Sequence, residues 1–122
     1  MVCFDWFFPE SMRTLALKGA DVICHCANLV LPFCQDAMIT RCLENHVFAV
    51  TANRTGEENR NGKCCYYTGR SQITGPDAKI LCQAGANTEE IGIAEIDFTL
   101  SRNKNLNYYN HIFLDRKEIF YH

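Results

Sequence analysis

The sequence predicts a layered α/β fold. Two short apolar runs, at 21–26 and 47–52, carry the composition of strands covered on both faces. Before each lies a segment whose apolar residues recur at spacings of three and four, the period of a helix packed on one side. Helix and strand patterns alternate through the first 53 residues, which is the order of a sheet layered with helices.

Each element has its own local warrant. Residues 9–18 read as a helix: Met12, Leu15 and Ala16 share a face, Pro9 suits the first helical position, and Gly19 suits the left-handed position after the last turn. Residues 21–26 form the first strand, and 27–34, with Pro32, the loop after it. Residues 35–45 read as a second helix, with Met38 one turn from Cys42 and Ile39 one turn from Leu43. The run Val47-Phe48-Ala49-Val50-Thr51-Ala52 is the next strand. The polar stretch 54–68, with Glu57, Glu58, Asn59, Arg60 and Asn61 in a row, reads as a solvated loop. A β-rich region follows at 69–97. Strands at 69–74 and 79–84 are joined by Gly75-Pro76-Asp77-Ala78, where proline suits the second turn position. A third strand is expected at 91–96 from its alternation. The remainder, 98–122, reads as a C-terminal arm whose Tyr108, Tyr109, Phe113, Phe120 and Tyr121 need a surface to cover.

Composition narrows the function classes. The chain has 122 residues, 48% hydrophobic and 21% charged, which fits one small globular domain or a piece of a larger one. Net charge is −2 with no basic cluster, so a nucleic-acid surface is not expected. No apolar run reaches the ~18 residues of a membrane span, and no secretory signal pattern opens the chain. Eight cysteines occur. They sit mostly inside apolar runs, and no pair shows the spacing of two to four residues typical of structural zinc. Reduced thiols in a cytoplasmic protein, with no metal and no cofactor, are the expectation.

The first ten residues hold the candidate chemistry. Cys3 follows an apolar residue and precedes a helix start, so it lies where a strand would hand over to a helix. A thiol there is held by backbone near N–H groups that can stabilise negative charge. The plain alternative is a small buried hydrophobe.

The motif Val2-Cys3-Phe4-Asp5-Trp6-Phe7-Phe8-Pro9-Glu10, followed by Arg13, Leu15 and Gly19-Ala20-Asp21-Val22-Ile23, resembles the nucleophile segment of the nitrilase (carbon–nitrogen hydrolase) superfamily. The likeness continues through Asn28-Leu29-Val30-Leu31-Pro32, Arg41-Cys42-Leu43-Glu44-Asn45, Asn53-Arg54-Thr55-Gly56 and Gly69-Arg70-Ser71-Gln72-Ile73, and into Asp97, Arg102 and Asp115-Arg116. The resemblance implies the C-terminal half of a four-layer α-β-β-α sandwich with a mixed sheet and an arm along the subunit or a dimer interface. It also implies hydrolysis of a non-peptide C–N bond in a small amide, carbamoyl compound or nitrile. On that likeness Cys3 matches the nucleophile and the Phe4 N–H the backbone donor to the oxyanion. Asn28 and Leu29 match the pocket, while Glu10, Arg13, Arg41 and Glu44 match structural positions, with an i,i+3 ion pair or a cap contact expected of Glu10 and Arg13. The family's general-base glutamate and its lysine precede the cysteine, where this sequence has Met1 and Val2. The chain alone is therefore expected to be inactive, needing an N-terminal half, and homodimeric. Glu10, Glu44 and Lys18 do not match the base or the lysine. In Cys24-His25-Cys26 the histidine reads as a packed strand residue rather than a ligand. A non-catalytic interaction module and a small zinc module on Cys24, Cys26, Cys64 and Cys65 are the other readings.

Overall fold

The computed structural model describes residues 1–121; His122, the last residue of the expected arm, lies outside them. After Met1 and Val2 a 3-10 turn, Cys3–Phe7, leads into helix α1, Pro9–Leu17, with Pro9 in the first turn where its missing N–H is not needed. Strand β1 is Val22–Ala27, helix α2 Cys34–Asn45 and strand β2 Phe48–Asn53. Then come β3 (Glu57–Arg60), β4 (Lys63–Tyr66), β5 (Gln72–Thr74), β6 (Ile80–Gln83) and the short helix α3 (Phe98–Arg102).

The main sheet has the order β1-β2-β5-β6 and is mixed. β1 runs parallel to β2, and β5 and β6 are antiparallel to their neighbours. Strand alternation sorts its residues. Ile23, His25, Ala49, Thr51, Gln72 and Thr74 point to the side where α1 and α2 lie, and all are buried. Met12 and Ala16 of α1 meet Met38 and Cys42 of α2 against Ile23 and Ala49, with Trp6 and Leu29 closing the cluster. The opposite face carries Cys24, Cys26, Val50, Ala52, Ile73 and Cys82; Cys24, Cys26 and Ala52 are exposed.

α2 ends on His46, which takes a left-handed φ of 49°. The carbonyls left open there are satisfied from the C-terminal region, where Lys104 Nζ donates to the carbonyls of Asn45 (3.1 Å) and His46 (2.6 Å). α3 is tied to the start of β1. Asp21 accepts from Ser101 Oγ at 2.9 Å and from Arg102 Nε at 3.0 Å, and the Ser101 bond, then Arg102, holds its carboxyl below the usual range. Asp97 caps α3 through the Thr99 N–H.

Two expectations about the elements need correction. The stretch 57–66 is a β-hairpin, not a loop: Glu57 pairs with Tyr66 and Arg60 with Lys63 around Asn61-Gly62, both at positive φ (52° and 79°). That is a two-residue turn matched to strand twist. The stretch 91–96 is not a strand. Ile91 is 91% and Ile93 85% exposed, and the segment does not pair with the open edge of β6; instead Gly92 lies so close to Cys82 that a Cβ would sit 2.7 Å from its sulfur. The turn between β5 and β6 keeps Pro76 at its second position, and Ala78 adopts φ 65°.

Candidate active site

The two residues before Cys3 lie along the free edge of β1. The amino group of Met1 donates to the Cys24 carbonyl at 2.8 Å, the Cys26 N–H donates to the Met1 carbonyl at 3.3 Å, and Val2 bridges Cys26 in parallel. Val2 and Asp5 are bonded reciprocally: the Val2 N–H donates to the Asp5 carboxylate (2.8 Å) and the Asp5 N–H to the Val2 carbonyl (3.1 Å). Chain direction therefore reverses from extended to turning within one residue. That residue is Cys3, at φ 43°. A left-handed φ on a non-glycine side chain costs ~1 kcal/mol or more and persists only when its surroundings enforce it. Trp6, 4% exposed, anchors the turn in the core, while the rings of Phe4, Phe7 and Phe8 pack on one another at the surface.

Beneath this corner lies His25, 1% exposed. Its Nε2 is 2.8 Å from the Cys3 carbonyl oxygen and its Nδ1 is 3.3 Å from Thr51 Oγ1. A carbonyl only accepts, so Nε2 carries the proton and Nδ1 takes the Thr51 hydroxyl. Burial lowers the pKa of this histidine and so favours the neutral ring. Cys34, at the start of α2, is fully buried; burial, with a smaller push from Cys3, raises its pKa to about 12 and keeps it a thiol. Cys3 itself is half-buried.

The remaining expected residues fall into two further places. Asn28 lines a cavity of about 230 Å³ with Arg54, Glu58, Arg60, Cys65 and Tyr67. There the Arg54 guanidinium stacks 4.3 Å over the Tyr67 ring, and Glu58 accepts from Tyr67, Arg60 and Arg54, which holds its pKa down at about 2. Leu29 does not face that cavity: its side chain packs in the core, and its main chain is bonded to the neighbouring loops. Its N–H donates to Asn53 Oδ1 (2.9 Å) and its carbonyl accepts from the Thr68 N–H (2.9 Å). Asn53 also donates to Thr68 Oγ1 and to the Gly69 carbonyl, so one side chain ties the loop after β1 to the loop before β5. Gly69 is required there, because at φ 56° any Cβ would meet the Ala86 carbonyl oxygen at 2.1 Å.

Glu10, Arg13 and Glu44 gather on the other side of α1, in a cavity of about 490 Å³ with Pro9, Arg116 and Tyr121. Arg13 Nη2 donates to the Glu44 carbonyl at 2.8 Å, and Arg41 pairs with the Glu44 carboxylate at 3.1 Å. Among the described residues Glu10 and Arg13 form no ion pair, because the guanidinium is drawn to the end of α2 and over the ring of Phe113. Cys24 and Cys26 lie on the main sheet and Cys64 and Cys65 on the β3–β4 hairpin, and no group of three or more His, Cys, Asp or Glu among the described residues is placed to hold a metal.

Residues 1–105 match the model of the carbon-nitrogen hydrolase family. The chain belongs to that family. It is 55% identical over 121 residues to a nitrilase of Pyrococcus abyssi, an alignment spanning 99% of this chain and 45% of the relative. A carbon-nitrogen hydrolase from Helicobacter pylori G27 superimposes with a TM-score of 0.84 at 25% identity, over 99% of this chain and 46% of that one. An amidase mutant from Nesterenkonia sp. AN1 matches with a TM-score of 0.62 at 27% identity, over 71% of this chain and 33% of that one. Its structure shows the acetamide moiety of fluoroacetamide added covalently at the active site cysteine. The chain thus spans less than half the length of these relatives. Its mixed α/β architecture is that of nitrilase-superfamily chains.

Proposed function

We propose that this chain carries the nucleophile of a cysteine-dependent hydrolase acting on the C–N bond of a small amide-type substrate. The observation that carries the reading is the left-handed Cys3 at the end of an extended segment, with the following peptide N–H turned into a corner. The Cys3 thiolate attacks the carbonyl carbon, forming a C–S bond while the π electrons move onto oxygen. The Phe4 N–H, which has no hydrogen-bond partner among the described residues, meets that oxyanion. Collapse breaks the C–N bond and expels ammonia or an amine, and water then cleaves the thioester. The Asn28 cavity, walled by the hairpin, is the side from which substrate is selected.

Arming the thiol needs a base and a nearby cation. Among the described residues no side chain beside Cys3 takes those parts: Asp5 is committed to the Val2 N–H and His25 to the Cys3 carbonyl. The family's glutamate and lysine are therefore supplied from outside these residues, and the working form is a homodimer of completed subunits. The test is to assay hydrolysis of simple amides and carbamoyl compounds by the chain alone and after addition of the N-terminal half of the Pyrococcus abyssi relative. Activity only in the mixture, abolished by Cys3→Ala, is expected. Activity that survives Cys3→Ala would overturn the assignment.

A further inference from the structure

The peptide between Cys3 and Phe4 contains both the carbonyl that His25 binds and the N–H assigned to the oxyanion. Among the described residues no peptide bond is cis, so these two groups point in opposite directions from one rigid plane. Whatever fixes the carbonyl therefore aims the N–H. The fixing group is a side chain 1% exposed, 2.8 Å away, on the strand paired beside Met1 and Val2. It is held from behind by Thr51 of β2, itself 3% exposed. A Thr51–His25–Cys3 chain of hydrogen bonds thus runs from the sheet interior to the corner. Donation to a carbonyl also polarises its peptide and strengthens the N–H at the other end.

We propose that His25 is a positioning residue: through the Cys3 carbonyl it holds and polarises the Phe4 N–H as the oxyanion donor. This rests on the reading of Cys3 as the nucleophile, and it adds a role for the histidine of Cys24-His25-Cys26 that neither metal binding nor simple packing describes. The geometry is specific about reach. A glutamine at 25 can place its amide nitrogen near the position of Nε2, whereas an asparagine places it near Nδ1 and falls short of the Cys3 carbonyl.

The test compares two reactions of Cys3 in the chain complemented by the N-terminal half of the Pyrococcus abyssi relative, read site by site by peptide mass spectrometry. Acylation by p-nitrophenyl acetate passes through an oxyanion: sulfur bonds to the carbonyl carbon, the C–O bond breaks, p-nitrophenolate leaves and the thiol proton goes to buffer. Alkylation by iodoacetamide displaces iodide in one step and forms no oxyanion. In His25→Leu and His25→Asn the ratio of acylation to alkylation at Cys3 is expected to fall about tenfold, and in His25→Gln to return to within about threefold of the wild type. A purely structural role for His25 would slow both reactions together and leave the ratio unchanged, which would overturn the proposal. Should His25→Leu fail to fold, the Gln and Asn variants, matched in polarity and different in reach, carry the same comparison. If Cys3 of the wild type is acylated no faster than the exposed Cys64, the assignment of Cys3 itself fails, a result distinct from an unchanged ratio.

Discussion

The thiol of Cys3 sits on backbone that a cysteine does not choose. At φ 43° the residue is strained, and the reciprocal Val2–Asp5 bonds, the Trp6 anchor and the His25 contact enforce it. Cys3→Gly is therefore expected to raise stability by ~1 kcal/mol relative to Cys3→Ala, seen as a higher melting midpoint, because glycine adopts that φ freely. Equal midpoints would show that the corner stores no strain. The other thiols sort by burial. Cys34 and Cys42, both pushed up to about 12 by burial, should resist iodoacetamide at neutral pH, while the exposed Cys24, Cys26, Cys64 and Cys65 should be labelled first. Rapid labelling of Cys42 in the folded chain would contradict the core described above. Glu58 offers a pH probe. Its carboxylate is stabilised first by the Tyr67 hydroxyl and then by Arg60 and Arg54, so its folded pKa lies below the unfolded one. Its contribution to the hairpin is complete above the ordinary value of 4.5 and is lost as pH falls toward about 2. An NMR titration of the Glu58 carboxylate that centres near its ordinary value would remove these bonds from solution.

At the scale of elements, legibility followed burial. The strands at 22–27 and 48–53 and both long helices could be read from the sequence, because each buries a face and burial leaves a period in the side chains. The β3–β4 hairpin buries almost nothing, so its Glu-Glu-Asn-Arg run looked like a loop; the signal that could have found it was Asn61-Gly62, a pair suited to positive φ at both turn positions. Residues 91–96 show the converse error: alternation makes a strand only where the chain pairs, and here Gly92 lies against the Cys82 side chain of β6 instead of along its open edge. The turn that holds Cys3, between an extended start and the helix at Pro9, could be read from its motif. The His25 contact could not, because it depends on the register that sets β1 beside Met1 and Val2. Two substitutions test the packing of the elements. Met38→Ala, at a fully buried position between α2 and the sheet, should cost about 2–5 kcal/mol of unfolding free energy. Lys104→Ala removes the two bonds to the end of α2 and should cost about 1–2 kcal/mol in the same measurement. A neutral result for Lys104→Ala would mean water replaces the cap.

At the scale of the molecule, one sheet face is covered by α1 and α2 and the other only in part, where Phe48 is buried and Gly92 lies against Cys82. Cys24, Cys26 and Ala52 lie open beside Val50 and Ile73, and the arm leaves Tyr108 and Tyr109 outside, 93% and 84% exposed; only Phe113 returns to the core, under Arg13 and Lys104. An apolar sheet face of this kind calls for a partner surface. The chain by itself is expected to associate, with sedimentation showing species larger than a monomer, and a soluble monomer melting in one sharp step would contradict that. Among the described residues no helix is long and apolar enough to cross a membrane. On the proposed reading, the residues here build the corner and hold its backbone. The most direct measurement is peptide mapping of the chain, complemented by an N-terminal half and quenched during amide turnover. The acyl group should be found on the peptide containing Cys3 and be absent from every other cysteine; turnover with the acyl group on another residue, or with none on Cys3, would contradict the account.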